Sequence, residues 1–124
     1  MAKIKFEDYS LNLRSGTVFQ IKVPKSATVR YVSIQVVEKS ILASADAKQS
    51  VDLVPTVTFQ LDPDEERVAR RFFVMSTESV LSMKDGDVVD YRGTFMHPTG
   101  SLLHLLEDVS GTLTLAAKEP ARQP

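Results

Sequence analysis

The sequence predicts an all-β fold, an antiparallel β-sandwich or open barrel of about eight short strands. Three observations carry this reading. Runs rich in Val, Ile, Thr, Tyr and Phe alternate apolar and polar residues, as in TVFQIKV at 17–23 and VTFQL at 57–61. Gly, Pro and Asp turn signals separate these runs at roughly ten-residue intervals. The chain has 124 residues, 43% of them hydrophobic and 25% charged, enough to bury a core without disulfide or metal staples.

Taken in order, the chain opens with Ile4 and Phe6 on one parity and Tyr9, Leu11 and Leu13 on the other, which suggests a slip or bulge near Glu7-Asp8. After a turn at 14–16, Phe19, Ile21 and Val23 share an apolar face, and the two segments read as a hairpin closed by Pro24. TVRYVSIQVV at 28–37 is strongly β-prone. EKSILASADAKQS at 38–50 lacks alternation and reads as a short helix or a flexible loop. Strand character returns at 51–61, where Pro55 suggests an edge position or a break. Asp62-Pro63-Asp64 is a turn, Phe72-Phe73-Val74-Met75 a strand, Val80-Leu81-Ser82-Met83 a short apolar run, and 84–87 another turn. GTLTLAAK at 111–118 reads as a last strand with Leu113 and Leu115 facing inward. A single β-domain over 1–118 with a frayed tail at 119–124 is the expected organisation.

The stretch 87–108 contains both histidines. VVDYRGTF at 88–95 is a strand; SLLHLLE at 101–107 fits either a helix capped by Ser101 or a strand buried on both faces. The four-residue turn His97–Gly100 favours a hairpin. Gly93 within a strand marks a bulge or a close approach, with Phe95 or Tyr91 as the expected neighbour.

Composition removes several functions. Without cysteine there are no disulfides, thiolate nucleophiles or Cys-based zinc sites. A formal charge of -1 argues against broad nucleic-acid binding. No apolar run reaches the ~18 residues of a membrane helix, and the N-terminus lacks a signal-like core, so a soluble, cytoplasmic protein is expected. No phosphate loop, nucleophile elbow or metalloprotease motif is present. The acidic cluster Asp62, Asp64, Glu65 and Glu66 lacks calcium-loop spacing and reads as a solvated turn. No metal, cofactor or catalytic residue is assigned.

A resemblance covers 18–107. It rests on Gln20, Val23-Pro24 and Ala27, then Val32 and Gln35, then Arg71 with Phe73 and Thr77. Tyr91, Gly93-Thr94-Phe95, Gly100, Leu102-Leu103, His104-Leu105 and Glu107 complete it. In that order these residues resemble a small all-β domain family of bacteriophage and bacterial genomes for which no activity is established. The family's Thr-Gly is Thr77-Glu78 in this chain, its fifth-strand Trp is Val57 or Phe59, and the insert at 38–50 is longer. The resemblance implies an all-β fold and a mobile-element origin.

The candidate binding residues are Arg70, Arg71, Tyr91, Arg92, Thr94 and His104. Arginine beside an aromatic, as in Arg70 with Phe72 and Arg71 with Phe73, suits a phosphate or a stacked base, and equally an ordinary strand edge with snorkelling side chains. His104, between leucines, reads as a hydrogen-bonded core histidine. The function expected from class and origin is a non-enzymatic phage or prophage protein that binds a host protein, inhibiting a defence or replication component. The alternatives are a binder or sponge for a small anionic, nucleotide-like ligand, and a virion decoration or tail accessory protein. Edge strands make a homo-oligomer the expected assembly.

Overall fold

The computed structural model describes residues 3–11, 17–40 and 49–115, the side chains at 35–40 and 49–53 excepted. Among the described residues are seven strands: β1 (Lys5–Ser10), β2 (Phe19–Pro24), β3 (Thr28–Ser40), β4 (Gln49–Leu61), β5 (Arg67–Ser76), β6 (Val89–Met96) and β7 (Leu102–Asp108). They form two antiparallel sheets, sheet A in the order β1-β4-β3 and sheet B in the order β2-β5-β7-β6. The arrangement is sandwich-like, and among the described residues neither sheet closes into a barrel. No described residue is helical.

Alternation decides which side chains meet between the sheets. Val57, Phe59 and Leu61 of β4 face Ile21 and Val23 of β2, Phe72 and Val74 of β5, Phe95 of β6 and Leu105 of β7, with Leu11 and Ala27 closing the cluster. Aromatic contacts tie the layers together: Tyr9 to Phe59 at 6.0 Å between ring centroids, Phe59 to Phe72 at 5.8 Å, and Phe72 to Phe19 at 6.3 Å. Phe59 and Phe72 are fully buried, which stabilises the fold by about 1.5–3 kcal/mol each from area removed from water.

Pro55 is at neither the sheet edge nor the break that the sequence suggests: β4 is the central strand of sheet A and pairs with β3 straight through it. The Pro55 carbonyl accepts from the Leu11 amide at 2.8 Å on the β1 side, just past the last β1 pair, Ser10 with Thr56. A strand residue's N–H and C=O point the same way, so the missing donor faces Leu11 at the end of β1 and the β3–β4 ladder loses no bond.

Several local expectations are corrected. β1 and β2 do not form a hairpin: β1 pairs with β4 and β2 with β5, so the chain changes sheets between them. β1 has no bulge near Glu7-Asp8; its register with β4 is unbroken from Lys5 to Ser10. The phase change arises because Ile4 and Phe6 are exposed, while Glu7 takes the inward position and is bonded by Arg67. The bulges lie elsewhere, at Arg30 between Val29 and Tyr31 and at Arg92 between Tyr91 and Gly93.

The helix or flexible loop expected over 38–50 is strand at both ends. Glu38 pairs with Val51, Lys39 with Ser50 and Ser40 with Gln49, and 41–48 lie outside the described residues. Cross-strand pairing outweighed a weak local signal. The expected strand at 111–118 is absent over 111–115. Leu113 is buried as expected, but its amide is held by the Asp108 carboxylate at 3.1 Å rather than by a neighbouring strand. Residues 116–124, with the expected tail, lie outside the described residues. The 80–83 run belongs to no strand.

Candidate functional site

Arg70, Arg92 and Glu107 are drawn together at the β3–β6 side of the sandwich. Arg70 is on the inward parity of β5, two residues before Phe72, and Glu107 on that of β7, two residues after Leu105. The bulge at Arg92 turns that side chain toward Glu107. Arg70 donates from Nε to Glu107 Oε2 and from Nη2 to Oε1, both at 2.8 Å. Its Nη1 donates to the carbonyls of Pro24 at 3.1 Å and Ala27 at 2.8 Å. Arg92 donates from Nε to Glu107 Oε1 at 2.9 Å, with Nη2 at 2.8 Å from the same oxygen. The Arg70 guanidinium also lies 5.7 Å from the Phe59 ring centroid and 5.6 Å from that of Phe72, so its charge rests on two aromatic faces. Burial works to raise the Glu107 carboxyl, but the Arg70 and Arg92 bonds outweigh it and hold the group below its ordinary value.

Above this triad opens a cleft of about 260 Å³, lined by Lys25, Ala27, Thr28, Val29, Arg70, Tyr91 and Arg92. Its walls come from the β2–β3 turn and the start of β3 on one side and the β6 edge on the other. The β6 edge comes close because residue 93 is glycine: a Cβ there would stand 2.9 Å from Val32 Cγ2. The neighbour of Gly93 is therefore Val32 of the opposite sheet, not Phe95 or Tyr91.

The remaining candidates divide between two other places. Thr94 and His104 pair across β6 and β7 on the outer face of sheet B. His104 is half-buried there, so the expected core position is corrected: it shares the parity of Leu102 and Leu106 as read, but that face is the outer one. The expected hydrogen bonding holds. Nδ1 bonds Thr94 Oγ1 at 2.9 Å and Nε2 bonds Thr77 Oγ1 at 2.8 Å. Tyr91 extends the chain through its hydroxyl to Thr94 and so belongs to this network as well as to the cleft. A neutral imidazole donates at one nitrogen and accepts at the other, and the two threonine hydroxyls can serve either tautomer. Around this polar centre lie Met75, Met96, Leu102 and Leu106, with no charged side chain among them.

Arg71 points away from the cleft. Its Nε donates to Asp108 Oδ2 at 2.9 Å and its Nη2 to the Leu113 carbonyl at 2.8 Å. Asp108, fully buried, also accepts from Ser110 Oγ at 2.8 Å and the Gly111 and Leu113 amides at 3.0 and 3.1 Å. Burial opposes ionisation here too, and these bonds outweigh it to hold the carboxyl below its ordinary value. Arg71 thus fastens 109–115 across sheet B.

Sequence reasoning passed over Glu107 and Lys25 as site residues. Glu107 was findable, because a carboxylate on the parity of Leu105 needs a partner and Arg70 shares the parity of Phe72. Lys25 follows Pro24 in a turn and carries no local signal. His97 stays in the β6–β7 turn, bonded to Thr99, apart from His104. Among the described residues no three His, Asp or Glu side chains come together as a metal-ligand set. The acidic turn is partnered instead: Asp62 accepts from the Asp64 amide at 2.9 Å, Asp64 meets Lys3 at 3.0 Å, and Glu65 accepts from the Ser26 hydroxyl at 2.5 Å. Comparison with protein families, curated proteins and solved structures found nothing that matches this chain.

Proposed function

We propose that this protein is a non-enzymatic binding protein that docks on a host protein through the outer face of sheet B, inhibiting a defence or replication component. The observation that carries the reading is the chemistry of that face. Tyr91 and Met96 are 62% and 61% exposed, Leu102 is exposed beside Met96 on the paired strand, and Met75 and Leu106 are partly open. The centre of a protein interface is depleted in charge and enriched in tyrosine and methionine, and the patch around His104 has that composition, with Arg71 and Asp108 farther along the same face. The Thr94–His104–Thr77 hydrogen bonds keep its polar centre satisfied, so burying it leaves no orphaned donor. The host setting rests on the mobile-element origin that the resemblance implies, and the inhibitory role on the class of small non-enzymatic proteins of that origin. The non-enzymatic reading rests on the sequence, in which no phosphate loop, nucleophile elbow or metalloprotease motif is present.

The test compares the full chain with Leu102→Glu in capture from host lysate, with circular dichroism as the folding control. A charge at an interface centre should weaken capture of a specific host protein at least about tenfold while the fold persists. Equal capture by both proteins, or capture of this chain's own second copy alone, would overturn the reading.

A further inference from the structure

We propose that the cleft between the β3 and β6 edges is a binding site for a small organic phosphate monoester of mononucleotide size, adjoining the docking face at Tyr91. Lys25, Arg70 and Arg92 bring three cations to it against one buried carboxylate, Glu107, with Asp90 at the rim 3.5 Å from Arg92. The cleft therefore retains positive charge while the domain as a whole is slightly negative. A phosphate monoester dianion matches that local charge better than a carboxylate does.

The donors are arranged to leave some of them unused. Glu107 engages Nε of both arginines and the Nη2 atoms. Among the described residues Arg92 Nη1 and the Lys25 ammonium have no protein acceptor. Arg70 is held by four bonds and two aromatic rings, so it supplies a fixed positive charge that needs no ordering on binding. Glu107 does not compete with the ligand, because its oxygens already receive guanidinium N–H groups; it aims Arg92 instead. Arg92 Nη1 keeps two N–H donors for phosphate oxygens, and Lys25 adds a point charge.

Size and wall chemistry narrow the ligand. About 260 Å³ lies just below the usual range for organic-ligand pockets, room for a phosphate and a sugar, with Tyr91 along the wall for a flat ring. A longer polyphosphate or dinucleotide would extend into solvent.

The test is titration calorimetry on the full chain at low ionic strength, with uridine 5′-monophosphate, uridine and inorganic phosphate as probes. The monophosphate should bind at least about tenfold more tightly than uridine, because charge-assisted bonds carry the affinity. It should also bind more tightly than inorganic phosphate. Lys25→Gln, an exposed change outside the triad, and Arg92→Lys, which keeps the charge but loses the Nη1 donors, should each weaken it at least about fivefold. Leu102→Glu should leave it unchanged, so that failure of this site and failure of the docking face are separately visible. Uridine binding as tightly as the monophosphate, inorganic phosphate binding as tightly, or full affinity in both cleft variants would overturn the assignment.

Discussion

The two edges of the sandwich are joined by the same kind of chemistry under opposite conditions. At the β1–β2 edge, Arg67 grips Glu7 with both Nη atoms at 2.8 and 2.7 Å and donates to the Tyr9 hydroxyl at 2.9 Å. Tyr9 in turn donates to Glu7 at 2.6 Å. Arg67 remains 35% exposed and Glu7 15%. At the β3–β6 edge, Arg70 and Glu107 are only 10% and 7% exposed, and every Glu107 oxygen is taken. The open clasp works in water, where a pair adds little and salt screens it. In the sealed triad desolvation has already been spent, so losing one member leaves a buried charge without its partner. The teaching is that bond count does not rank these joints; burial does.

The largest effect should come from Glu107→Gln, which leaves Arg70 and Arg92 facing a neutral amide. We expect a loss of about 3–5 kcal/mol in urea unfolding at neutral pH; a loss no larger than that of a surface carboxylate would remove the distinction between the two edges. Next comes Gly93→Ala, which drives a methyl to 2.9 Å from Val32 Cγ2 where the sheets meet. A cost of about 1–3 kcal/mol is expected from overpacking. Adding Val32→Ala should recover part of it, and a double mutant no better than the single would show that the strain lies elsewhere. Glu7→Gln should be the mildest, below about 1 kcal/mol and fading in high salt.

Acid sharpens the same contrast. The direct Arg67 bond, helped by Tyr9, holds the Glu7 carboxyl well below the usual carboxylate range; Glu107 is lowered as well, against its burial. A carboxyl whose folded value is depressed contributes stability above its unfolded value, 4.5 for both groups. That contribution is lost as pH falls through the folded value. The stability gap between the parent chain and Glu7→Gln should therefore be full at neutral pH and shrink below about pH 4.5. A gap that grew on acidification would contradict the sign.

Much of the fold could be read locally. Phe19, Ile21 and Val23, then Val57, Phe59 and Leu61, alternate in sequence and are found facing one another. The 97–100 turn joins β6 to β7 as its composition indicates, with Gly100 at a φ of 95° that favours glycine. The site was half legible. Arg70, Tyr91 and Arg92 meet around one cleft, whereas Arg71 fastens 109–115, and Thr94 and His104 lie on the outer face of sheet B. The parity of Arg70 with Phe72 separated it from Arg71, yet nothing local said which face carried the core at His104.

What the residues by themselves determined is the all-β class, the inward set of most strands and the absence of cysteine chemistry. Each depends on a period of two or on composition, and both are local properties. Only the tertiary structure decided that β1 joins β4 rather than β2, that Gly93 answers Val32, and that Glu107 gathers two arginines from strands 37 and 15 residues away. Alternation says which side of a strand faces inward. It says nothing about which strand lies beside it or across from it, and the chemistry of this protein is assembled at those junctions.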